Sequence, residues 1–202
     1  MKTSIENKIA EEEEIFQEQP RMPLSMNPLK FALWLFIATI VMMFAAWTSA
    51  FLVRRAEGEW LNFQMPFIFS ISTFIILLSS GTMQWAYFSA RKDNLNTAKI
   101  AMTITMLLAL AFFVTQYLGW QALEAQSVFF SGNPSGSFFY LLTVAHAVHL
   151  VSGIVFIVAV IIMTFQYKIH AKSMLWMDMC TSYWHFLDFL WVYLFAFLLI
   201  YH

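Results

Sequence analysis

The chain has 202 residues, 60% of them hydrophobic and only 11% charged, whereas a soluble domain carries roughly 25% charged residues. A chain of this size keeps a large surface, so the apolar excess cannot be hidden in a core, and lipid is its natural solvent. A net charge of −1 leaves no basic footprint for nucleic acid, and the single Cys180 excludes an intramolecular disulfide or a multi-cysteine metal site.

Residues 1–28 read as a polar, acidic tail on the cytoplasmic side. It holds the run Glu11-Glu12-Glu13-Glu14 and the breakers Pro20, Pro23 and Pro28. Such composition marks a solvated, partly disordered segment, with a docking role as the alternative. The tail has no apolar stretch of secretory type, so the first hydrophobic segment is expected to act as an uncleaved anchor. Residues 29–202 form the membrane domain. Its apolar segments are Phe31–Val53, Met65–Ala90, Ile100–Leu123, Phe138–Phe165 and Met174–Tyr201. Each exceeds the ~20 residues needed to cross about 30 Å of hydrocarbon at 1.5 Å per residue. None alternates as a barrel strand does. Only a helix satisfies its own backbone in lipid, so the fold class is all-α: a polytopic bundle of five transmembrane helices. No internal repeat is visible.

The linkers orient the spans. Nine of the 11 basic residues lie on one side: Lys2, Lys8, Arg21, Lys30, Arg91, Lys92, Lys99, Lys168 and Lys172. Arg54 and Arg55 lie on the other, shadowed by Glu57 and Glu59. The positive-inside rule puts the N-terminus in the cytoplasm and the C-terminus outside. Between the third and fourth segments, Gly132-Asn133-Pro134-Ser135-Gly136 is turn chemistry on the outer face. Trp60, Trp120 and Trp176 fall near expected interfaces, where amphipathic rings sit well.

Polar groups inside lipid are costly and call for a reason. The fourth segment carries His146 and His149, three apart on one face, and the fifth carries His185 and Asp188 in the same relation, with Trp191 one turn on. Counting from the inner ends at 1.5 Å per residue, His149 lies roughly 25 Å deep, His185 about 17 Å and Asp188 about 21 Å. A short connection makes these two helices antiparallel neighbours. Asp188 is therefore expected to accept a hydrogen bond from His185 or from a histidine of the fourth helix. Three readings of the histidines stay open: helix-to-helix glue, haem or metal ligation in an independent membrane haem or metal protein, and proton handling. Ligation is weakened by the roughly 8 Å difference in depth between His149 and His185.

Other features are blander. Ser79-Ser80-Gly81 and Ala45-Ala46 are small residues that let helices approach closely. The 13 methionines are scattered as packing filler. No phosphate loop, dinucleotide fingerprint or nucleophile elbow is present. A transporter would show repeats or broken helices, and no span has a midspan proline.

Three segments resemble one family. Thr143-Val144-Ala145-His146-Ala147-Val148-His149-Leu150-Val151-Ser152-Gly153 is similar to the pattern T-G-x-H-G-x-H-V-x-x-G. Tyr183-Trp184-His185-Phe186-Leu187-Asp188-Phe189-Leu190-Trp191 is similar to Y-W-H-F-x-D-x-x-W. Leu78-Ser79-Ser80-Gly81 followed by Trp85-Ala86 resembles L-x-S-S-x-x-x-x-x-A. The family is subunit III of the haem-copper oxidases, which use cytochrome c or quinol, and the likeness runs in register from about Phe31 to the C-terminus. Two departures stand out. Ile40 replaces an intramembrane glutamate of the family's L-F-x-x-S-E-V, and Gly119 stands at the acidic position of Q-x-x-E-W.

The resemblance implies a short, five-helix bacterial form in the inner (plasma) membrane, split as two helices plus three. It implies a non-catalytic accessory subunit of a proton-pumping terminal oxidase that reduces oxygen to water. Haem and copper would sit in the catalytic subunit I and its partner subunit II, with no cofactor in this chain. Phospholipid would lie in a cleft between the first two helices and the rest. The subunit would stabilise subunit I and support proton uptake, and a larger respiratory supercomplex is a further setting it allows. His146, His149, His185, Asp188 and Trp191 would be its structural or proton-handling cluster, with no catalytic or metal-binding residue.

Overall fold

The computed structural model describes residues 27–201, except 59, 62, 168 and 170–172. The acidic run, Pro20, Pro23, Glu59, Lys168, His170, Lys172 and His202 lie outside the described residues. Five helices are present among the described residues: α1 Pro28–Ala56, α2 Ile68–Arg91, α3 Leu95–Glu124, α4 Pro134–Phe165 and α5 Leu175–Tyr201. All five are long and apolar enough to cross a membrane, so the chain is a multi-pass membrane protein. Even α2, with 24 residues, extends about 36 Å at 1.5 Å per residue. No strand occurs among the described residues.

Helices α3 and α4 begin several residues before their expected starts, and both for the same reason. Asn94 caps α3, its side-chain oxygen accepting from the Thr97 N–H at 3.3 Å. Asn133 caps α4, accepting from the Ser135 N–H at 2.9 Å, and Pro134 fills the first helical position, where no N–H is needed. Lys99 consequently lies within α3 rather than in a linker. Its ammonium stands 4.3 Å from the centre of the Phe165 ring and 5.2 Å from that of Tyr167, a cation–π tie between the ends of α3 and α4. The C-termini of α2 and α3 close with left-handed residues, Asp93 (φ 56°) and Ser127 (φ 61°). The next N–H reaches back five residues in each case, Asn94 to the Ser89 carbonyl at 3.0 Å and Val128 to the Leu123 carbonyl at 3.1 Å.

The turn before α4 folds back tightly. A Cβ on Gly136 would lie 2.4 Å from the carbonyl oxygen of Phe129, and backbone cannot step aside as a flexible side chain can. Gly136→Ala is expected to lower stability by about 1–3 kcal/mol, read as a fall in melting temperature in detergent. Gly81→Ala is the control, since nothing stands within 4 Å of that position.

The chain divides into two compact units, Met1–Trp34 and Leu35–His202. The described part of the first is the start of α1, where the Asn27 side chain accepts from the Leu29 N–H at 3.0 Å. In the second unit, α2 and α3 run side by side at the closest backbone approach, and α2 also packs on α5, α5 on α4, and α4 on α3. Small buried residues make the α2–α3 approach possible: Ser72 and Ala86 on α2, and Ala98, Ala101, Thr105 and Ala109 on α3.

From Leu35 onward, α1 brings no Cα within 8 Å of another helix. It packs instead through a stripe at helical spacing, Ile37, Ile40, Phe44, Thr48 and Phe51. Phe51 meets Phe138 at 5.8 Å and Phe197 at 5.1 Å between ring centres, and the Tyr193 hydroxyl donates to Thr48 Oγ1 at 3.2 Å. The grouping of the first two helices against the other three therefore does not describe this packing: α2 belongs with α3 and α5. Ala45 and Ala46 are exposed rather than at a close helix contact, and Gly81 faces open space. The long rings beside those alanines set the distance of α1.

Candidate functional site

Helix α2 is the least apolar of the five spans and the most polar in its contacts. Its hydroxyls mostly turn back on the helix. Ser72 and Thr73 both donate to the Phe69 carbonyl, at 2.9 and 2.8 Å, and Ser79 donates to that of Ile76 at 2.7 Å. Their protons are thus satisfied, and the oxygen lone pairs are offered to neighbouring helices. Helix α5 supplies the donors. The buried Trp191 indole N–H donates to Thr73 Oγ1 at 3.0 Å, and that of the buried Trp184 donates to Ser79 Oγ at 3.2 Å. On the other flank, the Gln116 amide of α3 donates to Ser72 Oγ at 3.0 Å, and Thr82 and Thr105 share a hydrogen bond of 2.8 Å.

His185 falls in the same register and takes two partners from α2. Its Nδ1 stands 2.7 Å from Ser80 Oγ and its Nε2 2.9 Å from Gln84 Oε1. An amide oxygen only accepts, so Nε2 carries the ring proton and Nδ1 accepts from the Ser80 hydroxyl. Ser80 and Gln84 are members of the site that hydrophobicity and spacing did not single out. The signal was present in retrospect: polar residues at 73, 80 and 84 share one face of a span that lipid would otherwise disfavour.

The expected hydrogen bond between Asp188 and a histidine is absent. Asp188 is buried, at 3% exposure, but neither carboxyl oxygen has a hydrogen bond of ordinary geometry. His185, one turn away on the same helix, is already held at both nitrogens by α2. His149 donates from Nδ1 to the Ala145 carbonyl of its own helix at 2.7 Å, and its ring lies 5.8 Å from Phe44 on α1. His146 is fully buried with neither nitrogen hydrogen-bonded. Its ring lies 5.1 Å from Trp191 and 6.1 Å from Phe112. The three histidines thus meet different neighbours: α1 for His149, α3 and α5 for His146, and α2 for His185. Among the described residues, no three of His, Cys, Asp or Glu are grouped so as to hold a metal ion.

The two lost acidic positions are packed. Ile40, at 2% exposure, lies in the buried stripe of α1. At Gly119 a Cβ would meet the Phe69 ring, with Cζ at 2.7 Å and Cε1 at 2.9 Å. The Phe69 ring, itself 5.4 Å from that of Phe139, occupies the space a larger residue at position 119 would need. Gly153 plays the same part between α4 and α5, where a Cβ would lie 2.8 Å from a Leu187 methyl and 3.2 Å from the Trp184 ring.

Residues 8–202 match the family described as Cytochrome c oxidase subunit III. The chain belongs to the cytochrome c oxidase subunit III family. Among similar proteins, the probable cytochrome c oxidase subunit 3 of Rickettsia felis is 26% identical, over 94% of this chain and 74% of its own length. The probable quinol oxidase subunit 3 of Staphylococcus saprophyticus is also 26% identical, over 84% of this chain and 87% of its own. Cytochrome c oxidase subunit 3 of Rattus norvegicus is 28% identical, over 86% and 70%. The α2 and α5 motifs that resemble subunit III are the ones that interlock in space: Ser79 and Ser80 meet Trp184 and His185. His185→Leu would leave Ser80 and Gln84 without their partner. It is expected to cost about 1–3 kcal/mol, read as a lower melting temperature of the detergent-solubilised protein. A native melting temperature would remove these bonds from the account of what holds the subunit III fold together.

Proposed function

We propose that this chain is the accessory subunit of a terminal respiratory haem-copper oxidase, one that reduces oxygen to water and pumps protons. The observation that carries the reading is the family match across residues 8–202, with relatives named as subunit 3 of both cytochrome c and quinol oxidases. In this reading the chain holds no redox centre. Haem and copper belong to subunit I and subunit II, and the chain stabilises subunit I and supports its proton uptake. The divergent settings of His146, His149 and His185 speak against the alternative of an independent haem or metal protein.

The basic residues support an N-terminus in the cytoplasm and a C-terminus outside, and the presence of bacterial proteins among the relatives supports the inner membrane of a bacterium. Phospholipid would fit beside α1. A groove of about 920 Å³ runs between α1 and the start of α4, lined by Ala50, Val53, Arg54, Asn133 and Phe138. Another, of about 240 Å³, lies between α1 and α5, lined by Phe44, Phe189 and Tyr193. Both grooves adjoin α1, and in this reading phospholipid lies in them.

The test is affinity purification through a tag on this chain in mild detergent, with an optical spectrum before and after the chain is stripped from its partners. Co-purifying haem and large membrane subunits, with a colourless stripped chain, are the expected result. Haem or metal retained by the stripped chain would overturn the reading.

A further inference from the structure

The row of hydrogen bonds between α2 and α5 ends in an amide. Ser80 donates to His185 Nδ1 at 2.7 Å, and His185 Nε2 donates to Gln84 Oε1 at 2.9 Å. The Gln84 oxygen is thus engaged, while its nitrogen carries two N–H donors that meet no acceptor among the described residues. Gln84 is partly exposed and stands seven residues before Arg91. That is about 10 Å from the end of α2, inside the roughly 30 Å of hydrocarbon. Held at its oxygen by His185, the side chain cannot turn its amide toward the headgroups as a free polar side chain does. Unpaired N–H groups in lipid are costly. Hydroxyls such as those of Thr39, Thr103 and Ser152 avoid that cost by donating to carbonyls of their own helices, at 2.7, 2.9 and 2.6 Å.

The residues around Gln84 have the pattern of a helix-pairing seam. Leu77, Gly81, Gln84 and Phe88 recur at spacings of four, three and four, which keeps them on one side of α2. Leu77 is 49% exposed and Phe88 50%, and a Cβ at Gly81 would have nothing within 4 Å. The glycine admits a close backbone, and a polar residue within an apolar seam fixes the register of a partner. We propose that this stripe of α2 is the docking surface for a transmembrane helix of another subunit, one that brings an acceptor oxygen to the Gln84 amide. A hydroxyl, an amide oxygen or a carboxyl oxygen would serve. Lipid tails carry no acceptor, and a second copy of this chain would bring two more donors with its own Gln84 oxygen already engaged. Under the oxidase reading, on which the identity of the partner rests, the helix belongs to a haem-carrying subunit.

Site-specific photo-crosslinking tests it, in intact membranes, with the complex then purified through this chain. Benzoylphenylalanine replaces Leu77 or Phe88 on the stripe, or Leu107 of α3, 57% exposed, as the control. Positions 77 and 88 should each give a covalent adduct, and position 107 none, with a transmembrane peptide of a haem-carrying subunit identified by mass spectrometry. In Gln84→Met the yield at position 88 should fall about threefold, the weight of one hydrogen bond between helices in a membrane. Adducts with lipid alone or with a second copy of this chain would overturn the proposal, and an unchanged yield in Gln84→Met would remove the amide from it. Haem in the purified complex reports separately on the oxidase reading. Haem without a protein adduct at 77 and 88 overturns the docking surface and leaves that reading standing, whereas a protein adduct in a preparation without haem overturns the partner and the reading together.

Discussion

Gly119→Glu is expected to abolish accumulation of the folded chain. The substitution restores an acidic side chain where the family resemblance anticipates one, yet here the space is taken. The first carbon of any side chain at position 119 would stand 2.7 Å from the Phe69 ring, and that ring is buried at 1% exposure against Phe139. Overpacking alone costs typically about 1–3 kcal/mol, and a buried acid without a partner adds several more. Positions 69 and 119 are thus a coupled pair. Phe69→Ala alone should cost about 3–5 kcal/mol through the cavity it opens. Combined with Gly119→Glu, it should recover part of the lost accumulation, because the new side chain then has room. Quantitative blotting of the membrane fraction measures all three variants. Equal loss in the single Gly119→Glu variant and the double variant would show that the clash with Phe69 is not the cause.

Trp191→Ala is the second large effect, at about 3–5 kcal/mol. The indole is 1% exposed and touches three helices besides its own. It stands edge-on to Phe112 of α3 at 5.1 Å, covers His146 of α4 at 5.1 Å, and donates to Thr73 of α2. Truncation opens a cavity beside an imidazole that has no hydrogen bond of its own. Trp191→Phe separates the terms. It keeps most of the ring packing and loses the N–H, so it should cost only about 0.5–1.5 kcal/mol. Thermal unfolding in detergent distinguishes the two, and equal losses would place the whole effect in the hydrogen bond to Thr73.

The five spans were legible because length and apolarity suffice to define them. Their starts were less so. The first turns of α3 and α4 are polar, and a hydrophobicity argument skips them, although Asn94 and Asn133-Pro134 carry recognisable capping chemistry. In the site, His185, Trp191 and Asp188 were legible as groups that lipid penalises. Their partners were not. Serine and threonine in a helix read as packing, and only the phase of α2 against α5 makes Thr73, Ser79 and Ser80 acceptors for one motif. Helical spacing sets Asp188 one turn from His185, but it could not tell that α2 already holds both ring nitrogens. The position of α1 was beyond reach for a different reason. Its distance from the bundle follows from the volume of Phe44 and Phe51, not from any motif.

That arrangement of α1 bears on how the chain is made. Apart from the contact of Phe51 with Trp60 in the loop that follows it, its ring contacts and its hydrogen bond to other segments go to the last two helices: Phe51 to Phe138 and Phe197, Phe44 to His149, and Thr48 to Tyr193 across 145 positions of sequence. Helices α2 and α3 find one another across a three-residue turn, as soon as both have left the ribosome. The earliest of the five spans to enter the bilayer must instead wait there for α4 and α5, with both its grooves open to lipid until they arrive.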